Sequence, residues 1–151
     1  MNVAEFRSKI KPDLILSAGG QKYEVKEVVK FRLDDGSFYI KCFLNDGCVL
    51  ADDANDDSFL LVKEVKTEFL KPFEQSIKFD GKDFEFLYTA HAIAEETAGE
   101  PVFKKDASER FWDYKANDGS YLSLGIDDET NARSDFYGRI VTGDGIGLDQ
   151  K

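Results

Sequence analysis

The chain has one histidine, two cysteines and three prolines among its 151 residues, and no apolar run of the length a membrane span needs. Each shortage closes a class of chemistry. A helix needs about 18 unbroken apolar residues to cross a bilayer, so no direct membrane insertion is expected. The start, Met1-Asn2-Val3-Ala4-Glu5-Phe6, lacks the basic residues and apolar stretch of a secretory signal. Metal centres built on several His or Cys ligands are out of reach by count. Cys42 and Cys48 flank Asn45-Asp46-Gly47. Across a hairpin turning there they fall diagonally, a poor disulfide geometry, so reduced, buried thiols in a cytoplasmic protein are expected. Cations are short too: 20 Lys and Arg against 30 Asp and Glu give a formal net charge of −10. Nucleic acid and anionic membranes both require clustered Lys and Arg, so neither is an expected partner.

Catalytic templates are equally thin. A Ser/His/Asp or Cys/His arrangement would have to use His91, which stands in Ala90-His91-Ala92-Ile93-Ala94 as a structural residue would. No serine or cysteine sits in a G-x-S-x-G turn. Gly143-Asp144-Gly145-Ile146-Gly147 is glycine-rich, yet it lacks the Lys and Ser/Thr of a phosphate loop. Carboxylate pairs are available everywhere among 30 acids, which makes no pair informative. The chain leans away from an enzyme, with no catalytic residue and no cofactor expected.

What is present is apolar and alternating. Thirteen phenylalanines and 42% hydrophobic residues exclude disorder, and a chain of this length buries about 70% of its unfolded surface, enough for a core without staples. Val3, Phe6 and Ile10 stand at helical spacing before Pro12, predicting a short N-terminal helix. Period two then takes over. Tyr23, Val25, Val29, Phe31 and Leu33 share one parity, with an irregularity at Glu27-Val28 that predicts a β-bulge. Asp34-Asp35-Gly36 and Asn45-Asp46-Gly47 predict turns, with Phe38, Ile40, Cys42 and Leu44 alternating between them. Phe59-Leu60-Leu61-Val62, Phe84 and Phe86, Leu122, Leu124 and Ile126, and Tyr137 to Val141 continue the pattern.

An internal echo organises these strands. Gly20-Gln21-Lys22-Tyr23-Glu24-Val25 returns as Gly81-Lys82-Asp83-Phe84-Glu85-Phe86, and Asp35-Gly36-Ser37-Phe38 returns as Asp118-Gly119-Ser120-Tyr121. The fold expected is mainly β: two related small antiparallel barrel- or sandwich-like units packed in tandem behind the short helix. The first unit covers residues 13–66 and the second 75–148, with an insertion near 95–109 and a seam around Pro72; one composite domain is the alternative.

Two features stand out as site candidates. Asp53, Asn55, Asp57 and Glu64 match positions one, three, five and twelve of a calcium loop. Ser58 replaces the glycine of the sharp turn and the flanks read as strands, so an acidic surface loop is the plainer explanation and no metal is expected. In Phe111-Trp112-Asp113-Tyr114, strand alternation puts Phe111 and Asp113 on one face and Trp112 and Tyr114 on the other. One face is core; the other, if uncovered, presents rings of the kind that anchor a protein partner. Trp112, Tyr114 and Asp113 are therefore the candidate partner-binding residues.

With these motifs in view the chain resembles a bacterial family known as a domain of unknown function, the four-one-seven-eight family. The resemblance rests on Gly20-x-x-Tyr23-x-Val25, on Phe111-Trp112-Asp113-Tyr114 followed by Asp118-Gly119-x-x-Leu122-Ser123, and on Tyr137-Gly138. It spans most of residues 14–148 and implies β-rich tandem units, a cytoplasmic location and an accessory role near membrane-stress genes. It supplies no catalytic residues. The expected function is a non-catalytic interaction module that binds a protein partner. The alternatives are an acidic inhibitor that mimics nucleic acid and a carboxylate-based enzyme.

Overall fold

Alternation of apolar and polar side chains becomes an antiparallel meander wherever a glycine- or aspartate-bearing turn can reverse it. The computed structural model describes residues 1–99 and 106–150. A helix α1 (Val3–Lys9) comes first, followed by β1 (Ile15–Ala18), β2 (Gln21–Leu33), β3 (Phe38–Leu44), β4 (Cys48–Asp53) and β5 (Ser58–Val65). The second half supplies β6 (Ser76–Phe79), β7 (Lys82–Gly99), β8 (Ser108–Ala116), β9 (Ser120–Asp127) and β10 (Arg133–Thr142), and β11 (Gly147–Asp149) closes the chain. The mainly β, antiparallel architecture with a short N-terminal helix is the one the alternation predicts. Among the described residues, no helix is long and apolar enough to cross a membrane.

The two halves meet in one ring. Strands β2-β3-β4-β5 continue through β10-β9-β8-β7, and β7 pairs with β2 to close an eight-stranded barrel. β1 with β11 extends from the start of β2, and β6 from the start of β7. The seam expected around Pro72 falls between β5 and β6, outside any strand. Of the insertion expected near 95–109, residues 95–99 end β7 and 106–109 lead into β8, while 100–105 lie outside the described residues.

Both long strands change face partway along. In β2, Val25 pairs with Leu44 and Glu27 with Phe43, leaving Lys26 as the extra residue of a bulge. In β7, Phe86 pairs with Tyr114 and Tyr88 with Asp113, leaving Leu87 extra. A bulge shifts which side chains face inward. Tyr23 and Val25 accordingly pack on an outer cluster, whereas Val29 and Phe31, on the same sequence parity, pack inside the ring. Phe84 and Phe86 likewise pack outside, and Ala92 and Ala94 inside.

The second echo is a turn used in two places. The carbonyls of Leu33 and Ala116 accept from Gly36 and Gly119 N–H at 3.0 and 3.2 Å, and Asp35 and Asp118 carboxylates accept from the Ser37 and Ser120 amides, both at 2.9 Å. Gly36 and Gly119 both adopt φ of +87°, which a side chain would strain. The first turn joins β2 to β3 and the second joins β8 to β9, so this echo repeats local turn chemistry at non-equivalent hairpins.

Outer faces are covered. α1 carries Phe6 onto Phe59, with ring centroids 5.1 Å apart. Asn2 caps the helix by accepting from Glu5 N–H at 2.8 Å, and Arg7 pairs with buried Asp52 on β4 at 2.6 Å. On the opposite side, β6 and the segment before it cover β8 and β9 through Ile77, Phe69 and Phe73. Gly138 on β10 lies so close to β5 that a Cβ there would stand 2.0 Å from the Leu61 carbonyl oxygen.

Candidate functional site

Because the outer faces are covered, β3, β4, β5 and β8 are buried on both sides, and their second parity lines the barrel interior. Lys41 lies on β3 between the outward-facing Ile40 and Cys42. It is 7% exposed and its Nζ stands 4.3 Å from the ring centre of Phe136, 5.5 Å from Phe43 and 5.8 Å from Phe31. Burial lowers its pKa, opposed by the charges of Glu109, Asp113 and Glu64. Cation–π contact with ring faces retains part of what an ammonium loses on leaving water.

Asp113 faces Lys41's side of the interior from β8 and is 4% exposed. Ser123 Oγ donates to its Oδ1 at 2.6 Å and Tyr121 OH donates to its Oδ2. Tyr88 reaches the same pair, its ring at the mouth and its hydroxyl toward Tyr121 and Asp113. Burial pushes the Asp113 carboxyl up to about 6, while the hydroxyl bonds and Lys41 pull the other way. The Tyr121, Tyr88 and Tyr39 phenols are raised as well, first by burial and then by carboxylate charge, from Asp113 for Tyr121 and Tyr88 and from Glu109 ahead of Asp113 for Tyr39. Glu109, 8% exposed, lies beside Gly125, where a Cβ would meet its Oε2 at 3.5 Å.

These groups surround a cavity of about 160 Å³. Its walls are Val49, Leu60, Val62, Phe111 and Phe136, and its mouth lies between Ser37 and Phe38 after the first turn, Asp53 to Asn55 before β5, and Tyr88. Tyr88 and Phe38 are exposed there at 45% and 36%. A dry cavity of similar size holds one benzene ring, and eight-stranded barrels are just wide enough for a single small ligand.

Of the residues expected to bind a partner, Asp113 belongs to this interior. Trp112 and Tyr114 stand on the covered outer face. Tyr114 is fully buried and donates to the Glu74 carbonyl at 2.7 Å, while Trp112 packs edge-on to Phe73 at 4.9 Å with Lys71 Nζ 5.0 Å from its ring. The calcium-loop residues are not brought together. Asp53 Oδ1 accepts from Asn55 and Asp56 N–H, Asp57 Oδ1 accepts from Val3 N–H, and Glu64 lies near the far end of β5. Among the described residues, no three His, Cys, Asp or Glu side chains gather as a metal site. Cys42 and Cys48 are free thiols, the first buried, its pKa raised by burial.

His91 lies outside the ring, with Nδ1 3.3 Å from Asp34 and Nε2 bonded to Asp128. Ser108 Oγ donates to the same Asp128 oxygen at 2.5 Å. Serine and histidine thus share an acceptor and do not bond one another, so no proton relay from serine to histidine is built here.

Lys41, Tyr88, Glu109, Tyr121 and Ser123 escaped sequence reasoning, because Ile40, Cys42 and Leu44 alone make β3 look half-buried with Lys41 outward. The missing signal is Tyr39 and Phe43, which flank Lys41 on its own parity and mark a strand buried on both faces. A family model described as "Domain of unknown function (DUF4178)" matches residues 11–141. No curated protein and no solved structure matches the chain.

Proposed function

The chain belongs to the DUF4178 family, a domain of unknown function, and for this member we propose a non-catalytic binding module whose barrel interior takes up one small molecule. The observation that carries the reading is the cavity of about 160 Å³ inside a closed ring, walled by rings and aliphatic side chains and furnished with a few buried polar groups. That mixture of apolar wall and convergent polar atoms is the usual make-up of a ligand site. The binding residues then lie on the inner face of β8, Asp113 among them, and not on the outer face that carries Trp112 and Tyr114. A non-catalytic role fits the hydrogen bonds: Tyr121 and Ser123 donate their hydroxyl protons to Asp113, and the Ser108 hydroxyl and the His91 ring both bond Asp128.

The test is capture. Purified protein is equilibrated with the small-molecule fraction of a cell extract, washed, denatured and its released contents weighed by mass spectrometry. One compound at near one-to-one ratio, absent from an Ala51→Phe variant that fills the cavity, is the expected result. Equal recovery from both proteins would remove the interior as the site.

A further inference from the structure

We infer that the occupant of the barrel is an uncharged, single-ring molecule carrying one hydroxyl or amide group; this rests on the binding reading above. Three observations converge on it. The first is space: about 160 Å³ accommodates one six-membered ring with a short substituent.

The second is the wall. Tyr39 and Tyr88 both meet Phe111 nearly perpendicular, at 6.2 Å and 80° and at 5.8 Å and 83°. The site thus offers both edges and faces of rings, the arrangement in which another aromatic ring finds complementary quadrupoles.

The third is charge. One ammonium, Lys41, and two carboxyls, Glu109 and Asp113, already face one another in the interior, each less than 9% exposed. Asp113 has both oxygens engaged by hydroxyl donors. A ligand ion would give up its hydration and meet a like charge, Glu109 and Asp113 for an anion and Lys41 for a cation, and an ion in that position is strongly penalised. A neutral hydroxyl or amide meets no such penalty. It joins the hydroxyl groups of Tyr39, Tyr88 and Ser134 as donor, acceptor or both, without altering the balance of charge.

Benzyl alcohol, benzoate and benzylamine differ chiefly in charge and provide the test. Isothermal calorimetry at pH 7.5 on the full chain measures each, with Ala51→Phe as the blocked control and Val49→Phe in its place should the first variant fail to melt cooperatively. The expected result is saturable benzyl alcohol binding at least tenfold tighter than either ion and lost in the blocked protein. Benzoate or benzylamine binding as tightly as the alcohol, still lost on blocking, would overturn the uncharged class while leaving the cavity as the site. If none of the three binds, or if binding survives blocking, the interior is not a binding site and the inference falls with it.

Discussion

Lys26 and Leu87 occupy the same place in the two halves: each is the extra residue of a bulge in the long strand of its half, and they lie 61 residues apart, the interval that also separates Gly20 from Gly81. Each bulge turns its strand from an outer cluster into the barrel interior. Deleting Leu87 would leave Phe86 opposite Tyr114 and Tyr88 opposite Asp113 in plain alternation, every face kept, whereas one residue inserted between Tyr88 and Thr89 places Ala90, Ala92 and Ala94 on the wrong face. The insertion variant is expected to lose cooperative thermal unfolding, whereas Leu87→Ser, at a position 47% exposed, should stay within about 0.5 kcal/mol of the parent by chemical denaturation.

Gly138 tests the closure of the ring. Any Cβ there meets the Leu61 carbonyl at 2.0 Å and Val62 Cα at 2.7 Å, both backbone atoms that can yield only by moving β5 away from β10. Gly138→Ala should cost about 2 kcal/mol or more, read as a fall in melting temperature of roughly 5–10 °C. An unchanged melting temperature would contradict the tight β5–β10 approach.

Asp113 gives the interior a pH signature. Its carboxyl is raised from the ordinary 3.8 to about 6, so the folded state takes up a proton before the unfolded state does. Wild type should gain stability as pH falls from 8 toward 5, by about 1 to 1.5 kcal/mol at pH 5, the full effect of roughly 3 kcal/mol being reached only below the unfolded value. Asp113→Asn removes this dependence, so the wild-type-minus-variant difference in unfolding free energy should rise as pH falls. A difference flat across that range would show that Asp113 is not desolvated.

His91 has the opposite relation to charge. Its bond to Asp128, followed by that to Asp34, raises its pKa above the ordinary 6.5. The stabilisation is fully present below about 6.5 and is lost as pH rises through the folded value. Asp128, lowered by Ser108 and His91, keeps its share until acid protonates it. His91→Gln should cost under about 1 kcal/mol at pH 6, since the cluster is partly exposed, and nothing at pH 9. A cost that grows with pH would reverse the assignment.

Trp112 is the chain's one tryptophan and reports on the covered outer face. Trp112→Ala leaves Phe73 and Lys71 without their partner and should cost about 2 kcal/mol for a ring buried on one side, with the β-sheet circular dichroism spectrum unchanged. An identical denaturation midpoint would mean that the segment before β6 does not pack there.

Many of the elements could be read from residues: α1 from Val3, Phe6 and Pro12, and the reversals on either side of β3 from Asp34-Asp35-Gly36 and Asn45-Asp46-Gly47. Two things were hidden. The irregularity at Glu27-Val28 announced a bulge in β2, but only pairing with β3 places the extra residue at Lys26 and shows that the strand passes there from outside to inside. The site was hidden by the same logic. Asp113 was recognisable as a partner of Phe111 on one face, but the closing of the barrel that turns that face into a cavity depends on β2 meeting β7, a contact between residues some 60–70 positions apart that no local pattern encodes.

The most direct test of a ligand-holding interior uses the alternation within β5. Leu60 and Val62 face the cavity, while Leu61 faces the outer cluster. Methyl-resolved NMR during titration with benzyl alcohol should move the Leu60, Val62 and Val49 signals saturably and leave Leu61, Leu122 and Leu124 in place. Shifts confined to the outer leucines, or no saturable shift at all, would contradict the account.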